Sequence, residues 1–225
     1  MTQSQFWHLA HPDSTARNAE WVDGEMETEK VICAVEKGHR RGGKRLTNLS
    51  IVLRGEGVED FVWTWYSECL LQDHVLNLFR RSGFTGFEVK PVEARFRRPS
   101  EQEPPRLWEL IVTGWGGMAP SESGIRLIEH CPSCGLLHYS AGTNPKRLID
   151  VSQWDGNDFF MVWPLPGFMF VTDRVARVIR ENRLGGAVLR QPGELDLSGG
   201  FGPGRLSYWM PEQRARELGG SLGID

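Results

Sequence analysis

Two segments of the chain carry apolar residues at helical spacing. In each segment the apolar residues stand at positions i, i+3 and i+4: Val75, Leu78, Phe79 and Val175, Val178, Ile179. An aspartate opens each segment, at Asp73 and Asp173, and this residue type suits a helix N-terminus. Gly83 and Gly185 stand where each helix should end. The pattern predicts two amphipathic helices that begin near residues 72 and 172.

Strand-like stretches flank both predicted helices. Aromatic and β-branched residues fill positions 61–66 before the first helix and positions 159–163 before the second. After the helices, positions 87–92 and 187–190 predict one short strand each. Polar, turn-rich residues precede each aromatic stretch. Each segment therefore has the order turn, strand, helix, strand.

The two helical segments align with each other without a gap. Residues 71–86 match residues 171–186 at a constant separation of 100 positions. The matched pairs include Asp73 and Asp173, Val75 and Val175, Phe79 and Ile179, Arg80 and Arg180, and Gly86 and Gly186. We infer two copies of one supersecondary unit, at about residues 30–98 and 128–195.

A Pro-rich, charged segment at residues 98–106 separates the two copies and predicts a linker. The apolar run at 107–115 predicts a strand that leads into the second copy. The tail from residue 198 is rich in glycine, and we expect it to be loosely held, with a last short helix over 211–218.

The expected fold class is α+β, with two pseudo-repeated strand–helix–strand units joined by the Pro-rich linker and a small Cys-Pro-x-Cys-Gly (CPxCG) knuckle. The predicted divisions are an N-terminal unit at 1–98, the linker and a strand at 99–127, the knuckle with the second repeat at 128–195, and the tail at 196–225.

Composition narrows the class of protein. Of the 225 residues, 40% are apolar, including nine Trp and eleven Phe, so the chain can fill a hydrophobic core. A formal charge of −3 makes it a poor general ligand for phosphate backbones. No long apolar run predicts a membrane span, and residues 1–13 lack the basic-then-apolar order of a signal peptide. We therefore expect a cytoplasmic protein with no membrane partner, for which nucleic acid is a poor candidate ligand.

The strongest local signal is Cys131-Pro-Ser-Cys134-Gly135. Two thiolates at this spacing can bind one tetrahedral metal ion, and the glycine permits the tight turn that points both sulfurs inward. A structural zinc site needs two further ligands. The repeat nominates Cys33 and His39, which stand roughly where the knuckle of the first copy should lie.

His138, four residues after Cys134, is a local substitute for His39. The sequence thus predicts zinc bound by Cys131, Cys134, Cys33 and either His39 or His138. The alternative is an empty remnant of an ancestral site that holds reduced thiols.

No catalytic constellation can be assembled from the sequence, so we expect no enzymatic activity. Cys69 could act as a nucleophile only with a neighbouring base such as His74, and buried inert cysteine is the simpler interpretation. The basic cluster at residues 40–45 is interpreted as a solvated loop. Trp7, Trp21 and Trp209 lie outside the repeats and are candidate surface anchors for a protein partner.

Three stretches of the second copy resemble the double-CXXCG paralogous family of myxobacteria: the CPxCG motif at 131–135, residues 151–160, and residues 166–175 with 184–186. That family is similar in turn to immunity proteins of polymorphic toxins. The likeness covers residues 128–195 well and 30–98 faintly, and this chain has one CXXCG motif where the family has two.

The resemblance implies an immunity protein that binds and neutralises a cognate toxin protein. A mildly acidic chain suits a basic toxin through charge complementarity. The competing hypothesis is a nucleic-acid-binding regulator that uses the knuckle and the basic cluster at 40–45.

Overall fold

The computed structural model describes residues 5–12 and 19–225. Of the segment 1–13, considered above for a signal peptide, residues 1–4 and 13 lie outside the described residues. The strands are β1 (Phe6–Ala10), β2 (Ala19–Trp21), β3 (Thr28–Val31), β4 (Arg41–Arg45), β5 (Ser50–Leu53), β6 (Phe61–Trp63), β7 (Cys69–Gln72), β8 (Phe87–Phe96), β9 (Leu107–Val112), β10 (Gly114–Met118), β11 (Leu127–Cys131), β12 (Leu136–Tyr139), β13 (Phe159–Trp163), β14 (Met169–Thr172) and β15 (Val188–Arg190). The α-helices are α1 (Asp73–Arg81), α2 (Asp173–Glu181) and α3 (Glu212–Gly219).

Both predicted amphipathic helices are present. Helix α1 begins at Asp73 and helix α2 at Asp173, one residue from the expected positions. Their apolar stripes face the core: Val75, Phe79 and Val175 are fully buried. The class is mixed α+β, with many more strands than helices. None of the helices in the described part of the chain has the length and apolar character needed to cross a membrane.

The strands form two large sheets and two small ribbons. One sheet has the order β2-β5-β8-β9-β7-β6, and the other has the order β10-β13-β14-β1-β15. The ribbons β3–β4 and β11–β12 are antiparallel hairpins that stand apart from both sheets. In each large sheet, an antiparallel hairpin leads directly into a helix: β6–β7 into α1, and β13–β14 into α2.

The apolar run at 107–115 is two strands rather than one. Strand β9 ends at Val112 in the six-stranded sheet, and β10 starts at Gly114 in the five-stranded sheet. The chain crosses between the sheets at this point, and Gly114 packs closely against the neighbouring strand β13 of the five-stranded sheet. A Cβ at Gly114 would lie 2.1 Å from the carbonyl oxygen of Phe159.

The N-terminal strand β1 completes the five-stranded sheet, between β14 and β15. Strand β9 occupies the same place between β7 and β8 in the other sheet. Trp108 in β9 donates its indole N–H to Asp73 at 3.0 Å, and Trp7 in β1 donates to Asp173 at 3.2 Å. Trp7 is therefore a bridge from β1 to the start of α2, and its interpretation as a surface anchor was wrong.

The loop that follows α1 packs against β13, and the loop that follows α2 packs against β6. Gly86 and Gly186 both have positive φ, at 83° and 81°. A Cβ at Gly86 would lie 2.1 Å from the carbonyl oxygen of Phe159, and one at Gly186 would lie 2.1 Å from that of Phe61. These two approaches leave no space for a side chain, so both positions require glycine.

The C-terminal tail is packed, which corrects the expectation that it is loosely held. Helix α3 lies within one residue of the predicted span, and Ala215 on it is fully buried. Leu206 is also fully buried and donates its backbone N–H to the carbonyl of Ile224 at 2.8 Å. The tail joins the main hydrophobic core, which also takes side chains from both helical segments.

Several polar side chains form a buried cluster between β4, β7 and β9. Arg45 pairs with Glu109, which is 3% exposed. Glu68 accepts hydrogen bonds from the indole of Trp21 and the hydroxyl of Thr64. Burial, reinforced by the nearby Glu109 carboxylate, raises the pKa of Glu68 to about 7. Between about pH 4.5 and pH 7, the folded state therefore keeps a proton on Glu68 that the unfolded chain loses.

Substituting Gly186 with Ala should destabilise the fold by about 2 to 5 kcal/mol, because the strained φ and the clash with the Phe61 carbonyl add. Gly156 is the matched control, since its φ is 84° and nothing lies within 4 Å of a Cβ there. Gly156→Ala should cost only the strain, about 1 to 2 kcal/mol. Urea unfolding measures both, and equal losses at the two positions would contradict the close approach.

Glu68→Gln should become stabilising as pH rises. Because the folded pKa of Glu68 lies above its ordinary value of 4.5, the wild-type chain loses stability between about pH 4.5 and pH 7 and no further above that. The variant lacks this loss, so its stability relative to the wild-type chain should rise by about 2 kcal/mol between pH 5 and pH 8. Urea unfolding at both pH values tests this, and a difference independent of pH would contradict it.

Candidate metal centre

The tips of the two small hairpins meet each other. Cys33 lies just after β3, and His39 ends the short 3-10 turn Lys37–His39 that leads into β4. Cys131 is the last residue of β11, and Cys134 lies in the turn before β12. Each hairpin therefore contributes two donor residues from its tip, although the hairpins are far apart in the sequence.

The four donor atoms of Cys33, His39, Cys131 and Cys134 all lie within 4.8 Å of one another. The Sγ atoms of Cys33 and Cys131 are 3.7 Å apart, and Sγ of Cys134 is 3.7 Å from Nδ1 of His39. Tetrahedral ligation at about 2.3 Å per metal–sulfur bond requires sulfurs about 3.8 Å apart. A disulfide would need a sulfur–sulfur distance of about 2 Å. The four side chains can therefore hold a metal ion.

The turn at Cys131–Cys134 is shaped by its own backbone. The amide of Cys134 donates to the carbonyl of Cys131 at 3.3 Å, and the amide of Gly135 donates to the same carbonyl at 2.8 Å. Gly135 has a φ of 66°, which a residue with a side chain adopts only with strain. These bonds turn both sulfurs to the same side, and both cysteines are buried.

His138, the local alternative for the fourth ligand, lies outside this cluster. It is exposed on β12, and its Nε2 faces Gly200, where a Cβ would lie 3.1 Å away. The nomination of Cys33 and His39 from the repeat matches the four residues that the structure brings together. The histidine is thus supplied across 95 positions of sequence from Cys134, and not from the neighbouring strand.

Two neighbours of the cluster escaped the sequence analysis. Arg41 donates to Sγ of Cys134 at 3.4 Å and to its carbonyl at 2.7 Å. Glu129 accepts from Nε2 of His39 at 3.0 Å, which leaves Nδ1 directed at Cys134. Arg41 could not be distinguished by sequence from the other cations at residues 40–45. Glu129 gave no signal, because a single glutamate on an exposed strand is common.

The interpretation of residues 40–45 as a solvated loop was wrong. Residues 41–45 form strand β4, in which Arg41 meets the cluster and Arg45 meets buried Glu109. The hairpin is tight at Gly43, where a Cβ would lie 2.5 Å from a carboxylate oxygen of Glu29. A Cβ at Gly43 would also lie 3.0 Å from Val31, so the absence of a side chain there lets β4 lie close to β3.

The surroundings of the three thiols favour charge on two of them. Burial opposes ionisation of Cys33, but the backbone amides of Val35 and Glu36 stabilise its thiolate and lower its pKa to about 6. Burial likewise opposes the thiolate of Cys134, and the Arg41 guanidinium outweighs it and lowers that pKa. Burial raises the pKa of Cys131.

At His39, burial opposes protonation, yet the hydrogen bonds to the Cys134 and Cys33 thiols and the charge of Glu129 raise the pKa overall. The imidazole is held from both sides, because Nδ1 faces the sulfurs and Nε2 faces Glu129. This second contact fixes the ring in the orientation that ligation through Nδ1 requires.

Cys69 lies apart from the cluster, in β7. It is 1% exposed, and burial raises the pKa of its thiol, so the thiol is held neutral within the core. His74 lies on the exposed side of α1, where its Nε2 meets Asp60 at 2.7 Å. The structure therefore agrees with an inert Cys69.

Neither a protein-family model nor a curated protein sequence matches the chain.

Removing any one of Cys33, His39, Cys131 or Cys134, by Ser or Ala substitution, should abolish stoichiometric metal binding. His138→Ala is the matched control and should keep the metal, because its imidazole is outside the cluster. Elemental analysis of protein purified without chelator makes the comparison. Loss of metal in His138→Ala, with retention in His39→Ala, would contradict the assignment of the histidine.

Proposed function

We propose that the cluster is a structural zinc site of the Cys3His type. Soft thiolates and imidazole are the ligands of structural zinc, and the 3.7 Å separations fit tetrahedral ligation. Four protein ligands fill the coordination shell, so no position is left for a water or a substrate. The closed shell argues for a structural rather than a catalytic metal.

Zinc would staple two hairpins that are 98 residues apart at Cys33 and Cys131. Chain-entropy reasoning for a cross-link of that length gives about 4 to 5 kcal/mol. Arg41 offsets part of the negative charge that three thiolates bring to one zinc ion. Metal binding would in this way be part of the free energy of folding.

We infer further that residues 30–98 and 128–195 are two copies of one strand–helix–strand unit. Equivalent contacts support this: the pair Trp108–Asp73 corresponds to Trp7–Asp173, and Gly86 corresponds to Gly186. The CPxCG knuckle belongs to the second copy, and Cys33 with His39 stands at the corresponding edge of the first. Zinc would then join the two copies at equivalent places.

On this scaffold we propose an immunity protein that binds and neutralises a cognate toxin. The observation that carries the proposal is the closed ligand set, which gives a rigid binding scaffold without a reactive metal position. The resemblance to the double-CXXCG family supplies the class of partner. Arg41 and Arg45 are engaged inside the protein, which removes two cations from the surface that a nucleic-acid-binding regulator would need.

A chelator should lower the melting temperature of the wild-type chain by several degrees or more, and stoichiometric zinc should restore it. Cys33→Ser and Cys131→Ser should match the chelated protein and no longer respond to chelator, since both break the same staple. Differential scanning calorimetry gives the values. If Cys33→Ser kept the full melting temperature while Cys131→Ser lost it, the staple between hairpins would be refuted.

The immunity role is tested by co-expression with the product of the neighbouring gene in a bacterial host. That product should arrest growth when expressed alone, and co-expression with this chain should restore growth and yield a complex of fixed stoichiometry. Failure to restore growth would contradict the proposal, and a salt-sensitive gel shift with duplex DNA would support the regulator instead.

A further inference from the structure

The hairpin β3–β4 exposes large aliphatic side chains beside the metal cluster. Ile32 is 71% exposed, Val35 is 75% exposed and Leu46 is 62% exposed. Ile32 and Leu46 line one cleft of about 510 Å³, together with Lys30, Lys44 and Tyr208. Two carboxylates also line it, and both are engaged within the protein: Glu29 accepts from the amide of Lys44, and Glu212 pairs with Arg216. Aliphatic groups grouped on a surface are typical of a protein-binding site, because their removal from water favours association.

The same hairpin is basic in a chain that is acidic overall. Residues 28–46 hold six Lys or Arg and two Glu, against a formal charge of −3 for the whole chain. Lys30, Lys37 and Arg40 are exposed, and no ion pair engages them among the described residues. The two glutamates are hydrogen-bonded within the hairpin: Glu29 accepts from the amide of Lys44, and Glu36 from that of Gly38.

Several of these cationic and aliphatic residues are close neighbours, along the chain, of the cluster residues Cys33 and His39. Val35 and Lys37 lie in the short segment between Cys33 and His39, and Ile32 directly precedes Cys33. Ligation at both ends of this segment would fix its conformation before a partner arrives, and this lowers the entropic cost of binding. Strand β3 pairs only with β4 within the described part of the chain, so its outer edge can accept an extended segment.

We propose that this hairpin surface, formed by Lys30, Ile32, Val35, Lys37, Arg40 and Leu46, binds an acidic segment of a protein partner in which aliphatic side chains alternate with carboxylates. The inference rests on the proposed role as a binding protein and names the chemistry of the partner's contact segment. A protein fits better than a nucleic acid, because the exposed apolar side chains of the hairpin are aliphatic, and the one aromatic side chain in the cleft, Tyr208, is partly buried. The carboxylates meet the three unpaired cations, and the aliphatic groups cover Ile32 and Val35.

The test uses the zinc-loaded full-length chain and a fluorescein-labelled peptide of six Asp-Leu repeats, followed by fluorescence anisotropy. Three further probes are compared with it. A peptide of six Lys-Leu repeats tests the need for negative charge, and a peptide of six Asp-Ser repeats tests the need for apolar side chains. A single-stranded DNA of twelve nucleotides tests whether a nucleic acid binds in place of a peptide. The Asp-Leu peptide should bind most tightly, and its affinity should fall as salt is added, because the cations are exposed.

The triple variant Lys30→Glu/Lys37→Glu/Arg40→Glu should weaken binding of the Asp-Leu peptide about tenfold or more. Ile32→Ser/Val35→Ser should weaken it while leaving the response to salt unchanged. The matched control is Arg81→Glu/Lys90→Glu/Arg98→Glu, which makes the same change in charge at exposed positions away from the hairpin and should bind like wild type. Zinc content should stay at one per chain in every variant, which shows that the hairpin is folded.

Binding that is unaffected by both hairpin variants would overturn the proposal, as would tighter binding of the DNA or equal binding of the Lys-Leu peptide. The two proposals fail separately. A triple variant that still neutralises the neighbouring gene product would refute the hairpin surface and leave the immunity role standing. A wild-type chain that fails to neutralise that product, yet binds the peptides in the expected order, would refute the immunity role alone.

Discussion

Three thiols and an imidazole lie within 4.8 Å of one another, and this arrangement brings the tips of the two small hairpins together. Thiolates at such distances repel one another unless a cation stands between them, and one guanidinium, that of Arg41, offsets only part of the charge. The hairpins β3–β4 and β11–β12 belong to neither large sheet. Arg45 attaches β4 to Glu109 of β9, and Leu137 and Tyr139 of β12 pack into the main core, so the contacts at the tips add to these attachments. A metal ion at this point would fix both hairpins, and with them the segment between Cys33 and His39.

The body of the protein has its own means of joining its two halves. The loops after α1 and α2 each approach the first strand of the opposite segment, where Gly86 and Gly186 leave no room for a side chain. The carboxylate of Asp60 accepts the amide of Gly185 at 2.6 Å, and Asp158 accepts the amide of Thr85 at 3.1 Å. This crossed arrangement explains why one hydrophobic core takes side chains from both segments. The cluster therefore adds a second connection to halves that already share a core.

The placement of charge separates the two functional hypotheses. Of the basic residues at 40–45, Arg41 donates to Cys134 in the cluster and Arg45 pairs with buried Glu109, so both make contacts within the protein. Arg40 remains outside, together with Lys30 and Lys37 and the exposed aliphatic side chains of the same hairpin. A surface of this composition suits a protein segment better than a phosphate backbone.

The sequence by itself determined the local features. Helical periodicity located α1 and α2 to within one residue, the CXXCG spacing marked two of the four residues that could hold a metal ion, and the match between the segments pointed to the other two, Cys33 and His39. These predictions succeeded because each depends on spacing along the chain. Only the tertiary structure decided the rest. It chose His39 over His138, assigned Arg41 to the cluster, placed β1 beside β14, and packed the glycine-rich tail into the core. Each of these depends on which distant backbone segments approach one another, and the sterics of such approaches, as at Gly86 and Gly114, leave no periodic signal in the sequence.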